Sequence, residues 1–338
     1  MLKFVGKRLV SALFVLFGAT IITFILSRVI PSDPALAFYG PKATLDQSAR
    51  LRKEMGLDQS IVIQYFKYLK DMLTGNWGYS ISTKQPVLHE LMTKVPSTLE
   101  MIFVSIIFAT LFGILLGIWA AKNAHKLVDG SVRVFSIAAV SLPTFWLGLL
   151  FQLFFVGRLH WFPATGEFDT ELKFLNPIKH VTGFPIFDAL ITGNFHAVEN
   201  GLWHMVLPAL TLSLYSLGLI SRMIRANLLE VLSQDYIRVA RAYGIKERVV
   251  LFTLALRNAL PPVTTVVGLS AAYLLTGTFF VEDVFNWPGI GKFATTALLN
   301  VDYPAIMGIT LLGAMGYLTI NLIVDIVQAK LDPRVRSE

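Results

Sequence analysis

The chain has 338 residues, 54% of them hydrophobic and only 15% charged, with a mean hydropathy of +0.62. That balance excludes an ordinary soluble domain and points to a polytopic membrane protein. No cysteine is present, which excludes disulfides, thiolate metal sites and cysteine nucleophiles, and the formal charge of +7 has to be read by where it lies.

Lys3, Lys7 and Arg8 precede an apolar run over 9–30. A secretory signal peptide begins similarly, but its apolar core is shorter and ends at a small-residue cleavage site. This run reads instead as a retained first span, close to the ~20 residues a bilayer needs. Residues 31–96 form a polar external loop too long for a simple connection. Within it Ile61, Tyr65, Tyr68 or Leu69, and Met72 recur at helical spacing, which predicts surface helices lying against the membrane domain. The second span, 97–121, carries Ala109, Gly113, Gly117 and Ala121 four apart, a small-residue face for close helix packing. Glu100, near its start, belongs to the headgroup zone and does not read as an intramembrane proton site.

The third span, 134–156, is interrupted by Ser141, Leu142, Pro143 and Thr144. Proline frees a backbone carbonyl that nearby hydroxyls can satisfy, so the position is either a bend lining a substrate path or an ordinary kink. A second large external loop, 157–204, holds His160, His180, His196 and His204, too scattered for a metal site. The fourth span, 205–220, is closed by Arg222 and Arg225, and the fifth, 261–281, carries Thr264, Thr265, Ser270, Tyr273, Thr276 and Thr278. So many hydroxyls predict a face turned to a partner or a wet pathway. Ser141, Pro143, Thr144, Tyr273 and Thr276 are therefore the candidate translocation-path residues. An external turn leads to the last span, 304–327, in which Asp325 lies near the far end.

Between the fourth and fifth spans, the cytoplasmic region 222–260 is too charged to enter a bilayer yet retains helical order. Tyr236, Val239, Ala240 and Tyr243 fall at i, i+3, i+4 and i+7, with Arg238 and Arg241 on another flank and Gly244 as a C-terminal stop. Val249, Phe252, Leu256 and Leu260 continue in phase to Pro261 and Pro262. A short amphipathic helix held between two spans is either a docking element for a soluble partner or a surface helix resting on headgroups. Ala240 in the middle of the stripe and Gly244 at its end would let a partner approach the backbone closely.

With the amino terminus inside, the inside segments hold 16 Lys and Arg against 6 Asp and Glu, and the outside segments 12 against 14. Positive residues stay cytoplasmic, so both termini are expected inside, and the net charge reflects topology rather than nucleic acid. No G-x-x-x-x-G-K-[ST] loop occurs; Gly289, Ile290, Gly291 and Lys292 lack the spacing, and no hydrolase motif sits on a helix.

The 235–262 stretch resembles the cytoplasmic coupling loop of ABC-importer permeases. Ala240 falls on the second alanine of its Glu-Ala-Ala motif, Gly244 on the glycine, and Leu254 and Leu256 on the later apolar positions. Arg238 and Val239 depart from the Glu-Ala start, and Arg257 stands where proline is expected. Those departures are similar to the dipeptide/oligopeptide branch, with its Y-I-R-x-A-R-A-x-G followed by A-L-R-N-A-x-x-P. The same branch is resembled by R-x-x-P-x-D-P at 28–34 (with Ser32 where glycine is usual), MGLDQSIVIQYFKYL, GNWGYS, W-P-G-x-G at 287–291, Asp302-Tyr303-Pro304, and the ending N-L-I-V-D…L-D-P-R-V-R.

The resemblance implies an all-α membrane protein with six transmembrane helices. It implies a type I ABC-importer permease architecture, one permease domain over 1–338, large external loops and a cytoplasmic coupling helix. It implies a permease subunit moving dipeptides or oligopeptides inward by alternating access, multi-pass in a prokaryotic cytoplasmic (inner) membrane. Oligosaccharides, nickel chelates or glutathione are the alternative cargoes. Asp235, Tyr236, Arg238, Val239, Ala240, Arg241, Tyr243 and Gly244 would couple to the ATPase. The implied partners are a second homologous permease in a heterodimer, two ABC ATPase subunits, an external solute-binding protein and membrane lipid, with no nucleic acid. The chain itself would be non-catalytic and bind no metal or cofactor, with ATP and Mg held by the ATPases. A secondary transporter would want charged or unwound positions near the membrane centre, of which the spans show almost none. An intramembrane hydrolase would need a facing serine and base, which no pair of positions supplies.

Overall fold

The computed structural model describes residues 2–29, 44, 46, 50, 53 and 58–331. The R-x-x-P-x-D-P motif from position 30 onward, residues 55–57 of the MGLDQ stretch and the terminal D-P-R-V-R lie outside the described residues. In chain order the main helices are α1 (Leu2–Val29), α2 (Ile61–Leu73), α3 (Val87–Lys122), α4 (Leu127–Ser141), α5 (Thr144–Phe151), α6 (Thr170–Leu175), α7 (Pro185–Ile191), α8 (Phe195–Leu232), α9 (Asp235–Ala242), α10 (Pro261–Val284), α11 (Ile290–Leu299) and α12 (Tyr303–Leu331). A π-helical stretch, Gln152–Arg158, extends α5. Among the described residues the only β pairing is an isolated bridge, Tyr79 to Pro86, so the all-α expectation holds.

Among the described residues five helices are long and apolar enough to cross a bilayer: α1 over Val5–Ile25, α3, α8, α10 and α12 over Tyr303–Ala329. Helices α4 and α5 are long and apolar enough only together, and the pair is bent by 108° at the break. The chain thus has the expected six crossings when that bent pair counts as one.

Two compact units result, Met1–Thr98 with Pro288–Leu318 and Leu99–Trp287 with Thr319–Glu338. In the first, α2 is the helix expected from the spacing of Ile61, Tyr65 and Tyr68, and its tyrosines pack on Phe24 of α1. Asp302 ties the unit together, accepting from Ser80 Oγ at 2.5 Å, Ser82 N at 2.9 Å and Ala305 N in the first turn of α12. Gly308 of α12 lies so close to α3 that an added Cβ would sit 2.6 Å from Val87 Cγ1.

In the second unit the small-residue face of α3 meets α8. A Cβ on Gly113 would lie 2.8 Å from Ile220 Cγ2, and one on Gly117 2.6 Å from Ile224 Cγ2 and 2.7 Å from Ser221 O. Ala109 and Ala121 on the same face are buried. The four-residue spacing is therefore a packing seam. Gly117→Val should overpack it by about 1–3 kcal/mol, read as a lower thermal midpoint of the purified protein, whereas Gly130→Ala, with open space around it in helix α4, should not lower the midpoint.

The α4–α5 interruption is sharper than a kinked span. Leu142 (ψ 139°) and Pro143 (ψ 130°) are both extended, so the helix ends and restarts. Proline disfavours the helical conformation in the residue before it, in keeping with the extended backbone of Leu142 at the break. The returning segment is held by Gln152, whose Nε2 donates to Ala164 O and Val284 O, each at 2.9 Å.

Without disulfides, the 157–204 loop is held by buried aromatic packing and by carboxylates. Phe168 and Leu172 join Phe285 and Trp287 in one buried cluster. Glu100 accepts from the N–H groups of Ile186 and Phe187 in the first turn of α7. His204 bridges Gly166 O at 3.1 Å and Asp169 Oδ1 at 3.2 Å. Asp188 accepts from the N–H groups of Val181, Thr182 and Gly183 and from the Thr182 hydroxyl. Burial opposes its charge, but these four donors outweigh burial and hold the carboxyl below its usual range. A depressed carboxyl stabilises the fold above its unfolded titration and loses that contribution as pH falls through the folded value. Proteolysis of the 176–184 turn should therefore accelerate on acidification, and Asp188→Asn should cleave at the fast rate already at neutral pH.

Candidate coupling and translocation sites

The coupling stretch hangs from the end of α8. Ser233 closes α8, Gln234 is extended, and α9 starts at Asp235. Its end is a Schellman turn: Gly244 N donates to Arg241 O at 3.0 Å and Ile245 N to Ala240 O at 3.2 Å, with Gly244 at φ +74°. An L side chain rarely adopts that conformation, so glycine is needed for the turn itself. Within this chain nothing lies within 4 Å of an added Cβ, so a crowding contact plays no part.

Four side-chain hydrogen bonds fix the stretch. Arg241 forks onto Glu247 (Nε to Oε2 3.1 Å, Nη2 to Oε1 2.7 Å), closing the turn from both sides. The hydrogen bond from Arg241 holds the Glu247 carboxyl below its usual range, and the same bond raises the guanidinium. Asn258 Nδ2 reaches Tyr236 Oη at 2.9 Å, and Asn227 Nδ2 reaches Ala259 O at 3.2 Å, tying α8 and α9 to the returning segment.

The face that α9 buries differs from the expected stripe. Ile237 is fully buried and Ala240 8% exposed, packed with Ile224, Leu228, Val250, Leu251 and Ala255. Val239 is 53%, Tyr243 84% and Tyr236 44% exposed. Ala240 is therefore an inward contact of this chain and not the centre of an outward stripe. The outward surface is Tyr236, Val239 and Tyr243, flanked by the exposed pair Asp235–Arg238 at 3.2 Å.

The returning segment also shifts phase. Val249 and Phe252 are exposed, whereas Val250, Leu251, Ala255 and Ala259 are buried. A π-helical stretch, Val250–Ala255, inserts i to i+5 spacing, so a 3.6-residue period started at Val249 points the wrong way.

At the end of α8 nearest the coupling stretch, α8 and α4 are joined by an ion pair the sequence did not reveal. Asp129 is 1% exposed and receives Arg225 Nε on Oδ1 at 2.5 Å and Nη2 on Oδ2 at 2.8 Å. The His125 N–H also donates to Asp129, and Arg133 lies 3.8 Å away.

The path candidates lie on two neighbouring elements. Ser141 and Pro143 are exposed at the break and Thr144 is half-buried. Phe145, the next residue, packs on Phe280 of α10 with ring centroids 5.8 Å apart. On α10, Tyr273 and Thr276 are exposed one turn apart, below Phe280. Thr276 Oγ1 donates to Tyr273 O, leaving its hydroxyl to act only as an acceptor outward. Tyr273 stacks on Tyr215 of α8 at 4.4 Å, a residue no sequence pattern singled out. Two other hydroxyls of α10, Ser270 and Thr278, are buried and not on this face.

Residues 113–337 match the family described as "Binding-protein-dependent transport system inner membrane component", and residues 1–102 match its N-terminal membrane component. The chain is similar to the probable D,D-dipeptide transport system permease protein DdpB of Escherichia coli (strain K12), with 42% identity over 95% of this chain and 94% of that one. It is 38% identical to the di/tripeptide transport system permease protein DppB of Pseudomonas aeruginosa (strain UCBPP-PA14) over the full length of both. It is 35% identical to the oligopeptide transport system permease protein AppB of Bacillus subtilis (strain 168) over 99% of each. Two family matches covering almost the whole chain, on a fold with up to six membrane crossings, place it: the chain belongs to the inner membrane components of binding-protein-dependent transport systems, as a multi-pass transport subunit.

Proposed function

We propose that this chain is a permease subunit of an ATP-driven ABC importer that moves dipeptides or oligopeptides inward across the cytoplasmic membrane. The observation that carries the reading is the end-to-end similarity to peptide permeases from three different bacteria. In this mechanism the chain pairs with a second, homologous permease and stands over two ABC ATPase subunits, which bind and hydrolyse ATP with Mg. A solute-binding protein delivers cargo from outside. No cofactor is assigned to this chain.

ATP-driven closure of the ATPases moves α9 through Tyr236, Val239 and Tyr243, with Asp235 and Arg238 beside them. Ala240, Arg241 and Gly244 keep the helix attached to the bundle and hold its turn. The exposed edge formed by Ser141, Pro143, Thr144, Tyr273 and Thr276 lines the path. It offers aromatic faces and hydroxyls, which suit a peptide of variable side chains. Exchange between inward- and outward-facing states then follows ATP binding and hydrolysis.

The test is uptake of labelled dipeptides and oligopeptides by proteoliposomes holding the full complex, with binding protein and ATP. ATP-dependent peptide uptake is expected, and none from the isolated chain, which should also hydrolyse no ATP. Uptake of an oligosaccharide, nickel chelate or glutathione in place of peptide would overturn the substrate assignment. ATP hydrolysis by the chain freed of partners would overturn the division of labour.

Both termini are assigned to the cytoplasm from the Lys and Arg distribution. Cysteines at the exposed positions Lys126 and Arg248 should resist an impermeant thiol reagent in intact cells, while one at the exposed Lys179 should react. Labelling at Arg248→Cys from outside would reverse the assignment.

A further inference from the structure

We infer that Arg222 of α8 lines the inner part of the translocation path and receives the terminal carboxylate of the peptide cargo. The inference rests on the proposed reading of Tyr273 as a path residue and adds a charged contact to it.

Arg222 and Arg225 close the same span three residues apart, yet the structure separates them. Arg225 is committed to Asp129, with two donors on its two carboxylate oxygens. The Arg222 side chain is exposed and has no hydrogen bond or ion pair among the described residues. Its helix is an unusual place for an exposed cation. Of the five long apolar helices α8 is the most buried, with 78% of its apolar window covered against at most 39% in the others. From Thr211 to Ile224 every residue is buried except Tyr215, Leu219, Arg222 and Met223. Tyr215, Leu219, Arg222 and the exposed Ala226 recur at i, i+4, i+7 and i+11, so α8 is open here along one stripe. At one end of that stripe Tyr215 stacks on Tyr273, with ring centroids 4.4 Å apart. Arg222 lies on the same face two turns nearer the coupling stretch, roughly 10 Å along the helix.

The neighbouring stripe of α10 carries no charge. Tyr215 meets Tyr273, and Asn227 Nδ2 reaches Ala259 O at 3.2 Å, so α8 and the 259–273 segment run antiparallel. Arg222 thereby comes level with Thr265 and Val266. Pro262, Val266, Leu269 and Tyr273 recur on the open side of α10, and none of them is buried. Arg222 is thus a lone cation beside an apolar wall, at the inner end of the surface that holds Tyr273 and Thr276. An ionisable side chain in such a place faces a water-filled cavity or a ligand. An arginine that only marks the end of a span would snorkel from a lipid-facing side, whereas the one open side of α8 at this level adjoins Tyr273.

A carboxylate is the anion that fits. Peptides differ in their side chains, but a free peptide of any sequence ends in a carboxylate. Desolvating that group against an apolar wall is costly, and a guanidinium offsets the cost by forking onto both oxygens. A single cation open to water, with no second basic group on the stripe, holds the carboxylate weakly enough for release.

Two measurements on the reconstituted complex test this. In the first, Ala226→Cys, one turn beyond Arg222 on the same stripe, is assembled with cysteine-free partner subunits. It is treated from the ATPase side with an anionic sulfonate and a cationic ammonium thiol reagent of similar size. The anionic reagent should react several-fold faster, and adding Arg222→Gln should remove the preference. No reaction with either reagent would mean that protein or lipid covers the stripe, and would overturn the inference. A preference that survives Arg222→Gln would overturn it too. In the second, ATP-dependent uptake of a labelled free-acid dipeptide should fall about tenfold in Arg222→Gln, the size of one charge-assisted bond, and be largely kept in Arg222→Lys. Equal uptake by wild type and Arg222→Gln, or equal losses in the Gln and Lys variants, would overturn the carboxylate contact. Loss of the ATPase response to loaded binding protein in Arg222→Gln would place Arg222 in the drive and not in the path. A wild-type complex that takes up no peptide would instead overturn the proposed function, and the reagent preference would still report whether Arg222 faces a wet path. Arg222 has no partner within the chain to lose, so Arg222→Gln should leave the thermal midpoint unchanged.

Discussion

Replacing Asp129 by alanine should destabilise the protein by about 3 kcal/mol, because it strands the Arg225 guanidinium without its partner. The value belongs to the low end of the range for broken buried pairs, since Arg225 keeps 20% of its side chain exposed. The same change removes the acceptor for the His125 N–H, at a residue held at φ +66° in the short link from α3 to α4. Asp129→Ala combined with Arg225→Met should recover most of the loss, because no charge is then left buried. Thermal unfolding of the purified protein in lipid nanodiscs measures both. Equal losses in the single and double variants would mean that the pair's geometry, and not the stranded charge, sets the cost. The pair also bears on coupling: Arg225 lies ten residues before Asp235, on the stalk that carries α9, and Asp129 lies in the first turn of α4.

What could be read from the sequence follows from the physics behind each signal. The crossings and the Gly113–Gly117 seam were legible because a ~20-residue apolar run and a four-residue spacing are local properties. The position of the α4–α5 break was legible from Pro143, but its 108° size was not. That angle depends on where α5 comes to rest, and Gly148 of α5 fits against Phe285, Val284 and Thr211 from distant elements. In α9 the period was right and the buried direction was not. A helix suspended between a bundle and its surroundings has apolar residues on both sides, and periodicity alone cannot say which side faces in. Ile237, left out of the expected stripe, is the residue that is fully buried. The π-helical stretch after it defeated the second periodic pattern, because its extra residue is dictated by packing. Tyr215, Arg225, Glu100 and Asp188 act through partners far away in sequence or in a folded loop, and carry no local signature.

The same geometry separates three substitutions in the coupling stretch that sequence alone would treat as equivalent. Val239→Glu puts a charge on the outward face of α9, where Val239 is 53% exposed, so the fold should hold. Its cost should appear at the partner surface, where a desolvated charge carries a penalty of several kcal/mol, roughly, before relaxation. The ATPase subunits should detach on purification, or their hydrolysis should no longer respond to loaded binding protein. Ala240→Glu should behave differently. Its side chain points into the cluster of Ile224, Leu228, Val250 and Leu251, so the thermal midpoint of the isolated protein should fall before any partner is added. Gly244→Val should combine the two effects. A β-branched residue at φ +74° costs about 1–3 kcal/mol of backbone strain, which would loosen the turn and free the end of α9 without a clash inside this chain. Lys246→Gln, at an exposed position beyond the turn, should change little. Comparing the midpoint of the isolated chain with ATPase retention and peptide uptake by the complex distinguishes these cases. If Val239→Glu and Gly244→Val both transported at the normal rate with ATPases bound, α9 would not be the element through which ATP hydrolysis drives the permease.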